Sequence, residues 1–143
     1  MRKRKEAVRK GFTMVELMAV LIIIGLLATL VGTKVLKQIE KAKFATTKAN
    51  LKTLHTAVMQ FYMDTQRFPT EEEGLLILVE SMGDIEDYDP DGYLEQTDIP
   101  KDGWKNEFIY DPFPESGKSF EIRSCGPDGE EGTEDDLLST DAD

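Results

Sequence analysis

Two groups of residues in this sequence have types and spacing suited to chemistry. The first is GFTMVE at residues 11–16, where a basic leader meets a long apolar run. Hydrolysis of the Gly11–Phe12 bond would remove the leader and leave a free α-amino group on Phe12, four residues before Glu16. Carried on neighbouring copies of one helix, that amine and that carboxylate would neutralise each other and set the stagger between copies. The second group is the acidic ending, CGPDGEEGTEDDLLSTDAD, in which glycines punctuate a dense set of carboxylates. Calcium takes about six to eight oxygen ligands, and loop glycines let backbone carbonyls turn inward to supply some of them. The D-x-D-x-D-G spacing of an EF-hand is absent. A merely solvated acidic tail is the plainer alternative.

The first group must be positioned by the apolar run itself. From Phe12 to Val31 only Glu16 is charged, and twenty helical residues span roughly 30 Å, the thickness of a bilayer's hydrocarbon core. A carboxylate inside such a helix costs about 2.5–3.5 kcal/mol on insertion scales, which makes Glu16 a functional candidate. No Lys or Arg lies within a turn or two C-terminal of it, so its partner is expected on another copy; snorkelling to the headgroups is the alternative. An ordinary secretory signal places a small-x-small cleavage site after its apolar core. None follows Val31, so cleavage at Gly11–Phe12 would keep the whole apolar helix in the mature chain.

Beyond Val31 the sequence passes Gly32 and Thr33 and runs to Asp64 without proline or further glycine. Val35, Ile39, Ala42, Leu51, Leu54, Val58 and Phe61 form a helical stripe, predicting one helix from about residue 12 to 64 with Gly32 as its weak point. Thr70 and Glu73 make a capping box, which predicts a short second helix over about 71–82. Residues 84–106 read as loop with Tyr93 and Leu94 as anchors. Residues 107–110 and 119–124 read as an antiparallel strand pair across DPFPESGK.

Charge is strongly polarised along the chain. Residues 1–11 carry six Lys/Arg against one Glu, residues 12–60 six Lys against two Glu, and residues 61–143 five basic against twenty-five acidic side chains. The positive-inside rule keeps the leader cytoplasmic and exports the acidic remainder. An acidic head repels phosphate and argues against nucleic acid as a partner. Cys125 is the only cysteine, so no intrachain disulfide can form, and a buried small hydrophobe is its simplest role. His55 is the only histidine and has no second ligand of its kind for a transition metal. No nucleophile–base set or phosphate loop is evident, so an enzyme is not expected.

GFTMVEL before a long apolar helix resembles the prepilin-type signal of type IV pilins and type II secretion pseudopilins. FPTEEEGLLILVE, IPKDGWKNEFIY and SCGPDGEEGTEDDL resemble segments of the G-type, major pseudopilin family of type II secretion. The resemblance implies an α+β, pilin-like fold: a long N-terminal helix, and a head with a short helix, a small antiparallel sheet and a C-terminal calcium loop. It implies a leader at 1–11, a transmembrane segment at 12–34, a periplasmic head at 35–138 and a flexible tail at 139–143. Cleavage by prepilin peptidase between Gly11 and Phe12, N-methylation of Phe12, and a role for Glu16 in assembly follow from it. So does one calcium ion held by Asp128, Asp135 and Asp136 with backbone carbonyls near Cys125 and Thr133. The implied protein is an inner-membrane precursor that polymerises with itself into a periplasmic pseudopilus promoting export of folded proteins. Minor pseudopilins and an inner-membrane assembly platform would be its other partners. The alternative is a subunit of a type IV or competence pilus. This chain departs from the family pattern at Thr33, where proline is common, and at Gly103 and Lys105 beside Trp104.

Overall fold

The computed structural model of the protein describes residues 11–141, except for the side chains of residues 30–33. The leader before Gly11 and the side-chain environment of Gly32 and Thr33 therefore lie outside the described residues. The chain packs as two units, Met1–Ile39 and Glu40–Asp143. One helix, α1 (Met14–Thr65), has its N-terminal part in the first and its C-terminal part in the second.

In the first unit every described side chain from 11 to 29 is exposed. The apolar ones, such as Leu21 and Ile22, have no cover from the rest of the unit. The Thr29 hydroxyl donates to the Leu26 carbonyl at 2.8 Å, so this polar group is met within the helix. An uncovered helix of this length and composition suits a lipid bilayer or a bundle of identical helices, not water.

Along α1 the stripe divides. Leu51, Leu54, Val58 and Phe61 are fully buried, while Val35 and Ile39 of the first unit are about half exposed, at 48% each. The buried four pack with Leu75, Ile77, Leu78, Phe108, Phe120 and Ile122 in one apolar core. Around Phe61, the rings of Tyr88 and Tyr93 meet it edge-on, at centroid distances of 6.4 and 5.4 Å. Tyr93 also fastens the long loop, its N–H donating to the Leu78 carbonyl at 2.7 Å.

The Thr70–Glu73 box forms as expected: Thr70 N–H donates to Glu73 Oε2 at 2.8 Å and Glu73 N–H to Thr70 Oγ1 at 3.3 Å. It does not start an α-helix over 71–82. Gly74 adopts φ +52°, a left-handed conformation that ends the first turn, and the chain continues as a 3-10 turn, Gly74–Leu78.

Arg67 grips Glu73 through two parallel bonds of 2.7 Å and lies over the Phe61 ring. The guanidinium, foremost through these bonds, lowers the Glu73 carboxyl from its ordinary 4.5 to about 2. A depressed carboxylate contributes stability above its unfolded pKa and loses it as pH falls through the folded one. The head is therefore expected to weaken between about pH 4.5 and 2. Glu73→Gln should flatten that part of a stability-against-pH curve measured by urea unfolding.

Strands β1 (Ile109–Asp111) and β2 (Glu121–Ser124) pair antiparallel with Tyr110 opposite Ile122, as the turn-rich DPFPESGK segment predicts. A third strand, β3 (Leu137–Leu138), pairs with the other edge of β2 and makes it central. Its two residues are too few to show alternation in the sequence. The sequence places a flexible tail at 139–143, of which the last two residues lie outside the described residues. Ser139–Asp141 form a 3-10 turn, and the buried Ser139 hydroxyl accepts the Ile122 N–H at 3.2 Å.

Candidate assembly and cation sites

At the N-terminal site, Phe12 is exposed and Thr13 stands just before α1, with Glu16 in its first turn. Glu16 N–H donates to Thr13 Oγ1 at 3.2 Å, and Thr13 N–H donates to Glu16 Oε2 at 3.5 Å. This reciprocal pattern is a capping box, and a carboxylate in the first turn also complements the helix dipole. Sequence reasoning left Glu16 dependent on another copy. The T-x-x-E spacing was the signal it passed over. The carboxylate has a local partner, held by long bonds from which it can be drawn.

The C-terminal loop leaves β2 at Ser124 and returns at β3. Gly126, Gly129 and Gly132 have φ of +63°, +70° and +86°, a region closed to most side chains. At Gly126 the loop crosses its own return: a Cβ there would lie 2.9 Å from Asp135 Oδ2. Asp135 accepts from the Thr133 hydroxyl at 2.6 Å, which foremost holds its carboxyl below the usual carboxylate range. Its other oxygen faces the Asp128 N–H at 3.4 Å. Asp128 Oδ1 accepts from Glu130 N–H, and Asp136 Oδ2 from Gly132 N–H, both at 2.9 Å. The Thr133 carbonyl faces Asp136 N–H at 3.4 Å. Cys125 is buried, and burial foremost pushes its thiol up.

Among the described residues, no three Asp, Glu, His or Cys side chains stand ready to hold a metal ion. Asp128, Asp135 and Asp136 are on one loop, each turned to the loop's own donors. The donor chemistry fits a hard cation, being all oxygen on a turn whose close crossing at Gly126 admits no side chain. Cation binding would require rotation of the carboxylates away from these N–H and O–H donors.

A third cluster went unread in the sequence. Asp102 is buried, and its Oδ1 accepts Trp104 N–H at 2.9 Å and Asn106 N–H at 2.7 Å. Its Oδ2 accepts the Ser124 hydroxyl at 2.7 Å and Asn106 Nδ2–H at 3.3 Å. Asn106 also donates to the Gly126 carbonyl at 3.0 Å, tying the cluster to the C-terminal loop. Gly103 N–H donates to Thr47 Oγ1 of α1 at 2.8 Å, a bond that proline at this position could not make. A Cβ on Gly103 would collide with the Lys43 backbone. The signal was the D-G-W turn itself, since Asp commonly accepts the N–H two residues on. His55 stacks against Phe120, with ring centroids 4.9 Å apart.

One helix, bare and apolar at its N-terminal end and built into a small α+β core at the other, defines a pilin-like subunit. The profile described as type II secretion system (T2SS), protein G matches residues 34–140, and the prokaryotic N-terminal methylation motif matches residues 7–32. The chain belongs to the type II secretion system protein G family. It is 35% identical to the type II secretion system core protein G of Escherichia coli K12, covering 92% of this chain and 90% of that one. With the protein of the same description from Pseudomonas aeruginosa it shares 33% identity, covering 94% and 93%. A crystal structure of the major pseudopilin from the type 2 secretion system of enterohaemorrhagic E. coli is similar at a TM-score of 0.60 and 29% identity. That likeness covers 72% of this chain and 90% of the solved one.

Proposed function

We propose that the protein is the major pseudopilin of a type II secretion system, the subunit whose polymer promotes export of folded proteins across the outer membrane. The observation that carries this is the uncovered apolar half of α1 joined to a protein G head. Prepilin peptidase cuts between Gly11 and Phe12, and Phe12 is N-methylated. The precursor sits in the inner membrane with its leader cytoplasmic and its head periplasmic. Subunits pass from the bilayer into a homopolymer, with minor pseudopilins and an inner-membrane assembly platform as further partners. In this reading the protein's work is mechanical rather than catalytic.

A deletion strain tests the function. Loss of secretion with normal twitching and adhesion is expected; the opposite pattern would favour the type IV pilus alternative. Intact mass tests the processing, and an N-terminus other than methylated Phe12 would overturn it.

The residues that would hold calcium are Asp128, Asp135 and Asp136, with carbonyls near Cys125 and Thr133. Bound there, the ion would neutralise carboxylates that otherwise repel one another and pin a loop that has no disulfide. A ligand at about a hundredfold over its Kd stabilises a fold by roughly 2.7 kcal/mol. For a head of this size that corresponds to a rise in Tm of about 10–20 °C. The full chain in detergent should show this rise on replacing chelator with calcium, and Asp135→Ala should abolish it. An equal melting temperature in chelator and calcium would remove calcium from the account.

A further inference from the structure

Arg123 is the only Lys or Arg after Lys118, in a stretch dense with carboxylates. It lies on β2, paired to β3 opposite Leu138, two residues before the loop begins at Cys125. Its guanidinium reaches three carboxylates from three segments. Nη2 is 3.1 Å from Glu121 Oε1 on its own strand, Nη1 is 3.2 Å from Glu131 Oε1 at the loop tip, and Nε is 3.8 Å from Asp136 Oδ2 on the return. The Arg123 side chain is 26% exposed and that of Asp136 only 11%, so solvent screens this end of the network incompletely.

We propose that Arg123 is a built-in counter-cation of the C-terminal loop, holding it closed without an ion and setting how tightly calcium binds. This rests on the calcium reading of Asp128, Asp135 and Asp136. A guanidinium stays charged at every physiological pH and spans several carboxylates with its fixed fork. It therefore supplies, permanently and from a rigid strand, part of the neutralisation that calcium would supply on binding. An incoming divalent ion meets a positive charge already beside Asp136 and must displace it or bear the repulsion. The loop thus loses less order without calcium, and it binds calcium less tightly than its carboxylates alone would.

The test is calorimetry with calcium chloride, together with thermal melting in chelator and in calcium, on the full chain in detergent. Arg123→Gln should bind calcium roughly tenfold more tightly than the wild type, by removal of one nearby like charge. It should melt lower in chelator and gain more from calcium. Arg123→Lys keeps the charge and should stay near wild-type affinity. Binding to Arg123→Gln but not to the wild type would support the proposal in its strongest form, as would folding of the variant only in calcium. Wild-type binding with unchanged or weaker binding to Arg123→Gln would overturn the role of Arg123 while leaving the calcium reading intact. Failure of Arg123→Gln to fold even in saturating calcium would also overturn it, because a counter-cation is dispensable once the ion is bound. If neither protein binds, both readings fall together.

Discussion

Glu16→Ala is expected to abolish filament assembly while leaving the subunit inserted in the membrane with a folded head. Alanine is a better helix former than glutamate and lowers the cost of insertion, so the precursor should accumulate rather than vanish. What disappears is the one charge in the apolar run that a neighbouring Phe12 amine could meet after cleavage. Leaving that amine among apolar helices without its counter-ion costs about 3–5 kcal/mol, by analogy with buried pairs that lose one member. At each addition this reduces association by roughly two to four orders of magnitude. The measurement is filament recovered by shearing from cells overproducing the subunit, with membrane-fraction immunoblots as the insertion control. Wild-type filament yield from Glu16→Ala would refute the assembly role. Thr13→Val makes the contrast: it breaks only the local box, whose loss costs about 1 kcal/mol, and filaments should still form.

The second large effect is expected at Asp102. Its carboxylate accepts two backbone N–H groups, the Ser124 hydroxyl and the Asn106 amide in a buried position. Asp102→Ala leaves those donors unmet, which costs about 3–5 kcal/mol and takes much of the stability of a small domain. Urea unfolding of the full chain in detergent should report this loss. Asp102→Asn should fall between, because half of its amide still accepts while the other half opposes a donor. On the proposed calcium reading, affinity for the ion should drop too, because Asn106 holds the Gly126 carbonyl at the mouth of the loop. An Asp102→Ala protein as stable as wild type would show that the cluster is incidental to the head.

The legible parts of this fold are those in which a local rule agrees with the final packing. The three- and four-residue steps from Leu51 to Phe61 placed the buried face of α1 because that face meets the core directly. Thr70 and Glu73 announced their box, but Gly74 decided what followed it, and a glycine's φ is not visible in its neighbours. β3 is two leucines stabilised by β2, a partner more than ten residues away, so no local period marks it. The candidate sites divide in the same way. The residues of the C-terminal loop are contiguous and could be named together. Asp102 and Arg123 each also reach a partner more than ten residues away, Ser124 and Asp136, and an isolated acid or base looks the same whether it faces solvent or joins such segments.

The Thr13–Glu16 box bears on the energetics of joining. In the proposed assembly a carboxylate already satisfied at home would change partners on joining, not acquire its first. The net gain from the shared contact would then be reduced by what the local box gives up, about 1 kcal/mol. Joining would then be an exchange of contacts. In a fibre so assembled, each added subunit would give up a local contact for a shared one.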